Sequence, residues 1–130
     1  MNILITGGCG FLGCNLAAAA IAKGDDVTVL DNLSRLGYSD NLSWLRGQGD
    51  FNFFHADIRN VNEIERAVAE VGPDAVFQVA RKVAVTTSIV DPRRDFEINA
   101  LGTSNMVDVA RRYAPKEALF YSSACKACQL

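Results

Sequence analysis

The chain has 130 residues, a common size for one domain, and 49% of them are hydrophobic, enough for a full core. The formal net charge of −2 gives no reason to expect a nucleic-acid or polyanion partner. No apolar run approaches the ~20 residues of a membrane span, and no basic leader precedes the first apolar run, so the sequence reads as cytoplasmic with no membrane contact.

The first predicted element is a strand over Asn2–Thr6, carrying Ile3-Leu4-Ile5. The run Gly7-Gly8-Cys9-Gly10-Phe11-Leu12-Gly13 follows, and then an alanine-rich stretch with strong helix propensity that predicts a helix over Phe11–Lys23. Strand, glycine turn and helix form the context in which a glycine pattern points to phosphate binding. Gly7 permits the tight turn, Gly10 lets a pyrophosphate approach the backbone, and Gly13 lets the helix pack close to the strand. The spacing is GxxGxxG. The helix N-terminus adds free N–H groups and partial positive charge. Gly24-Asp25 turns the chain into a second strand, Asp26–Asp31, which ends on a carboxylate 18 residues after Gly13. A carboxylate about 20 residues past such a turn is placed to accept hydrogen bonds from an adenosine ribose.

Residues 32–50 read as a polar loop with a short helix near Asn41–Leu45, packed down by Leu42, Trp44 and Leu45. A third strand is predicted over Phe51–His55, and Asn60-Val61-Asn62-Glu63 resembles a capping box opening a helix through Val71. Gly72-Pro73-Asp74 stops it. A fourth strand covers Ala75–Val79. Two helical pieces follow, separated near Asp91-Pro92, the second over Pro92–Tyr113, and Ala118–Ser122 is the fifth strand. Strands alternating with helices predict an α/β fold, a doubly wound parallel sheet of Rossmann type in the order 3-2-1-4-5. Its ligand crevice lies beyond the carboxyl ends of strands one and four. His55, the single histidine, has no sequence partner for catalysis and reads as structural.

Taken together, TGGCGFLG, Asp31-Asn32-Leu33-Ser34-Arg35, Asp57-Ile58-Arg59, Asn99-Ala100-Leu101-Gly102-Thr103 and Tyr121-Ser122-Ser123 resemble the extended short-chain dehydrogenase/reductase family. Its nucleotide-sugar epimerases and dehydratases are the nearest members. GGCGFLG, DNLSR, VAVTTSIVDP and DFEIN are most similar to the branch that epimerises CDP-linked sugars at carbon 2. The resemblance implies NAD as cofactor. It implies Gly7, Gly10, Phe11, Leu12 and Gly13 at the pyrophosphate, and Asp31, Asn32, Ser34 and Arg35 around the adenosine ribose. Asp57 and Ile58 would meet the adenine, Val79 and Ala80 would line the way to the nicotinamide ribose, and Asn99 and Ser122 would lie near the nicotinamide. Asp57 also reads as an ordinary Asx turn, and Asn99 as a buried structural amide.

The sequence departs from the family at three points. Gln78-Val79-Ala80-Arg81-Lys82 stands where the family has histidine and small residues, so Arg81 either pairs with a cofactor phosphate or faces solvent. Ala124 stands at the family's substrate-binding threonine. The family's catalytic Tyr-x-x-x-Lys pair has no counterpart in these residues, since Tyr38, Tyr113 and Tyr121 have no lysine four positions on. No residue is therefore assigned a catalytic or a metal-binding role. The expectation is a single dinucleotide-binding domain over residues 1–130, without the family's C-terminal substrate domain, that binds NAD without turnover. Two alternatives stay open. One is an active epimerase or dehydratase completed by a partner chain, with a homodimer compatible. The other is a metal or redox site on Cys125 and Cys128, joined by Cys9 and Cys14.

Overall fold

The computed structural model describes residues 1–80, 90–115 and 118–122. The strands are β1 (Asn2–Thr6), β2 (Asp26–Asp31), β3 (Asn52–His55), β4 (Ala75–Gln78) and β5 (Leu119–Ser122). They form one sheet in the order β3-β2-β1-β4-β5 with every pairing parallel, as the alternation of strands and helices predicts. The helices are α1 (Phe11–Lys23), α2 (Tyr38–Arg46), α3 (Val61–Val71), α4 (Pro92–Phe96) and α5 (Gly102–Tyr113). A π-helical stretch, Glu97–Leu101, joins α4 to α5, so the helix expected over Pro92–Tyr113 carries a widened turn. Arg81, Lys82, most of the first helical piece predicted after the fourth strand, Ala124, Cys125 and Cys128 lie outside the described residues.

Side chains alternate across a strand, and both faces of a parallel sheet are covered, so the central strands feed two cores. On one face Leu4, Leu30 and Val76 pack with Ile64 and Val68 of α3 and Met106 and Val109 of α5. On the other, Ile3, Ile5, Val27 and Val29 pack with Ala17 and Ala20 of α1 and with Leu45 of α2. The alanines that give α1 its helix propensity also form its buried stripe, and their small size lets it lie close to the sheet. Gly24 closes α1 in the left-handed region, at φ 92°, with its N–H donating to the Ala20 and Ile21 carbonyls. Asn60 caps α3 by accepting from the Glu63 N–H at 3.4 Å. Helix α2 starts earlier than the sequence suggests. Its Leu45 is fully buried, whereas Trp44, expected to pack inward, is 46% exposed. Among the described residues no helix is long and apolar enough to cross a membrane.

Candidate functional site

The carboxyl ends of β1, β2 and β4 open onto a cleft of about 600 Å³. One wall is the glycine turn. The Gly7 N–H donates to the Leu30 carbonyl at 2.7 Å, and the Gly10 N–H donates to the Gly7 carbonyl at 3.1 Å. Gly7 sits at φ 72°, and a Cβ there would lie 2.6 Å from the Ala80 backbone. Glycine is thus required twice over, by conformation and by the approach of the chain leaving β4. A Cβ on Gly13 would overlap the Gly7 carbonyl oxygen and lie 2.7 Å from the Gly8 Cα. Gly10 differs from its sequence expectation. A Cβ on it would meet the Tyr38 hydroxyl at 3.0 Å, so the space it leaves open is shared with a side chain of α2. Helix α1 opens at Gly10 with no side-chain cap and no acid in its first turn. Its positive end therefore lines the cleft with no side chain of its own first turn capping it, a setting suited to an anion.

The second wall begins at Asp31, the last residue of β2, which is 5% exposed. Its Oδ2 accepts from the Cys9 N–H at 3.0 Å and its Oδ1 from the Leu33 N–H at 2.9 Å. Burial raises the Asp31 pKa, and the N–H groups of Leu33, Cys9 and Asn32 oppose the rise. The carboxylate thus ties the glycine turn to the loop after β2. In that loop Leu33 adopts φ 54°, which strains a non-glycine residue and is held by the contacts around it. Asn32 bridges outward. Its Oδ1 accepts from the Ser34 N–H at 3.1 Å, and its Nδ2 donates to Asp57 Oδ2 at 3.1 Å. His55 Nε2 lies 3.0 Å from the Asn32 carbonyl, and its ring stacks on Phe53, a structural role.

Asp57 lines the cleft and makes the Asx turn, accepting from the Arg59 N–H at 2.9 Å. Arg59 also grips it in a fork, Nε at 3.0 Å to Oδ1 and Nη2 at 2.6 Å to Oδ2. The Arg59 hydrogen bond, with that of Asn32, brings the Asp57 carboxyl down to about 2 against a partial opposing effect of burial. An acid whose folded pKa lies below its unfolded value stabilises the fold above the unfolded pKa and loses that contribution as pH falls through the folded one. Asp31 has the opposite sign, because its raised pKa makes acidification favourable to the fold. The Asp57→Asn chain is therefore expected to be less stable than the parent at pH 5 by on the order of 1 kcal/mol, allowing for solvent screening. The difference should close between pH 4 and pH 2. Urea midpoints across that range check it, and a constant gap down to pH 2 refutes it.

The cleft gathers most of the residues singled out from the sequence: Gly7, Gly10, Phe11, Leu12 and Gly13 from the turn, Asp31, Asn32, Ser34 and Arg35 from the loop after β2, Asp57 and Ile58 after β3, and Val79 and Ala80 after β4. Asn99 and Ser122 are not in its wall. Asn99 lies in the π-helical stretch, where the preceding residue, Ile98, reaches the cleft. Ser122 ends β5, two strands from β1. Arg81 lies outside the described residues. The cleft also takes in residues that sequence reading passed over, among them Leu36, Tyr38, Arg94 and Ile98. Arg94 and Ile98 are four apart, a helix-face spacing legible in the sequence. Tyr38 carries no such signal, because the sequence predicts a helix that starts three residues later.

Among the described residues no group of three or more His, Cys, Asp or Glu side chains could hold a metal ion. Cys9 and Cys14 are free and buried. Burial and the nearby Asp31 charge push the Cys9 thiol up to about 12, which keeps it protonated at neutral pH and unsuited as a thiolate ligand.

Residues 3–127 match the NAD dependent epimerase/dehydratase family. The chain is 51% identical over 126 residues to a CDP-paratose 2-epimerase of Salmonella typhi, covering 97% of this chain and 37% of that relative. It is 39% identical to a dTDP-glucose 4,6-dehydratase of Salmonella typhimurium, over 87% of this chain and 32% of the relative. Among solved structures, a Thermus thermophilus UDP-glucose 4-epimerase in complex with NAD superposes with a TM-score of 0.74 at 35% identity, covering 87% of this chain and 34% of that one. The chain thus spans about a third of the length of these relatives.

Proposed function

The chain belongs to the NAD dependent epimerase/dehydratase family, and from that premise we propose that its cleft binds NAD as the cofactor portion of an epimerase acting on a CDP-linked sugar at carbon 2. We place it in the cytoplasm as a single dinucleotide-binding domain that, as the 130-residue chain, binds without turnover. The observation that carries the reading is the convergence of an uncapped helix N-terminus and a buried carboxylate on one cleft, joined by the hydrogen bond from Cys9 to Asp31. The glycines fix the shape of the turn, since a Cβ at Gly7 or Gly13 would collide with the backbone of Ala80 or of Gly7 and Gly8.

On this reading the turn, Gly7 and Gly10 through Gly13, holds the diphosphate through backbone N–H groups. Asp31, with Asn32, Ser34 and Arg35, meets the adenosine ribose. Both Asp31 oxygens already accept one backbone N–H and keep a lone pair each for ribose hydroxyls. Ile58 offers an apolar face to the adenine. The Asp57 carboxylate accepts four hydrogen bonds within the protein, so its part in binding is chiefly to hold Asn32 in place. Val79 and Ala80, with Asn99 and Ser122, belong to the nicotinamide side, and Arg81 is a candidate partner for a cofactor phosphate. When bound, NAD supplies a hydride acceptor and donor for oxidation and re-reduction of a sugar carbon. CDP-paratose is the substrate class favoured by the likeness to the Salmonella typhi relative.

The test is cofactor choice. NAD is expected to raise Tm more than NADP does, because the Asp31 carboxylate repels a 2′-phosphate. Asp31→Ala should narrow that gap. It should also lower stability by about 1–3 kcal/mol, since the Cys9 and Leu33 N–H groups lose their acceptor. Equal stabilisation of the parent by NAD and NADP would overturn the ribose assignment.

A further inference from the structure

Resting on that reading of the cleft, we propose that the Tyr38 hydroxyl is a further positioning group for the cofactor, donating a hydrogen bond to the diphosphate from above the glycine turn. The hydroxyl lies 3.0 Å from the point where a Gly10 Cβ would stand, and the Tyr38 Cζ lies 3.4 Å from it, so the phenol end is packed over the residue that opens α1. The side chain lines the cleft, and its ring packs against the core that includes Val29 and Leu45. It is therefore held at its base and presents its polar tip to the cavity. Among the described residues the hydroxyl takes part in no hydrogen bond, which leaves its proton for a ligand.

The placement of α2 is fixed by two further contacts. Gly37 sets the entry to the helix at φ 87°, and the Asn41 N–H donates to its carbonyl at 3.0 Å. One turn into the helix, Asn41 Nδ2 donates to the Cys9 carbonyl at 2.7 Å. The start of α2 is thereby pinned to the glycine turn itself, so Tyr38 and the α1 N-terminus form one rigid unit. Helix N–H groups approach an anion along the α1 axis, and a phenol packed beside Gly10 adds a donor from a second direction. An O–H donor to a charged phosphate oxygen is a short, strong hydrogen bond. The contact asks nothing of the adenine or of the nicotinamide, and so predicts a dependence on the diphosphate alone.

Tyr38→Phe keeps the packed ring and removes only the hydroxyl. Calorimetric titration of the parent and the variant with NAD, ADP-ribose and adenosine tests the proposal. The variant should bind NAD and ADP-ribose about tenfold more weakly, while adenosine changes by less than about twofold. Unchanged NAD affinity in a variant whose parent binds NAD would overturn the Tyr38 assignment and leave the cleft reading standing. An equal loss for adenosine would also overturn it, since the hydroxyl would then act on the nucleoside or on the shape of the loop. A parent that binds neither NAD nor ADP-ribose would sink the cleft reading, and the tyrosine's role with it.

Discussion

A Gly13→Ala chain is expected to melt about 10 °C or more below the parent, a loss of about 3 kcal/mol for a domain of this size. The added methyl overlaps the Gly7 carbonyl oxygen and comes within 2.7 Å of the Gly8 Cα. Both neighbours are backbone. Gly7 is itself held by its N–H bond to Leu30 and by its close approach to Ala80, so it cannot give way cheaply. Relief therefore requires α1 to move off the sheet, which opens the core around Ala17 and Ala20. Gly10→Val supplies the contrast. Gly10 has φ −76° and ψ 171°, a conformation open to any residue, and its nearest neighbour is the end of a tyrosine side chain. That variant should keep its stability to within about 1 kcal/mol and lose NAD affinity by about tenfold or more, because the branched side chain crowds both the diphosphate and Tyr38. Thermal melts with and without NAD separate the two. A Gly13→Ala chain melting within about 2 °C of the parent would show that the turn is not packed as described.

The same contrast shows what the sequence could and could not convey. Strand β1, helix α1 and strand β2 were legible to the residue, because their signals are local: an apolar run, an alanine-rich stretch, and glycines at both helix ends. The sheet order followed from the alternation of elements and the right-handed crossover rule. The pairing of Asp31 with the glycine turn was legible as a spacing, although not as a hydrogen bond to Cys9. Other features depend on partners distant in sequence. Tyr38 reaches the cleft because Asn41 docks α2 on Cys9, 32 positions earlier. Asp57 carries a signal for an Asx turn and one for a binding carboxylate, and Arg59 and Asn32 draw it into an internal network. The π-helical stretch has no residue signature of its own. Gly102, just after it, packs on Ile58, where a Cβ would come within 2.5 Å of the isoleucine, and within it Ile98 lines the cleft where Asn99 does not.

The 130-residue chain, given NAD and CDP-paratose, is expected to leave the sugar unchanged while still binding the cofactor. Oxidation of a sugar hydroxyl requires a base on that hydroxyl, and general acid–base catalysis contributes typically about 10²–10⁴-fold. The family resemblance assigns that task to a tyrosine with a lysine four residues on. Here Tyr38 is followed at that spacing by Leu42, Tyr113 by Glu117 and Tyr121 by Cys125. Tyr38 packs over Gly10 at the glycine-turn end of the cleft. Tyr121 stacks on Phe77 with ring centroids 4.9 Å apart on β5, which carries no cleft-lining residue. Tyr113 ends α5, on an element that contributes no residue to the cleft wall. Holding the sugar in register contributes further, on the order of 7 kcal/mol in favourable cases, and on the proposed reading the polar groups of the cleft face a dinucleotide. Losses in acid–base chemistry and in positioning multiply in rate, so binding survives where turnover does not. The measurement is NMR of the sugar carbons over time, with NAD binding followed in the same sample by calorimetry. Interconversion that scales with protein concentration would mean that one of these three tyrosines, or another group of this chain, serves as the base without the lysine.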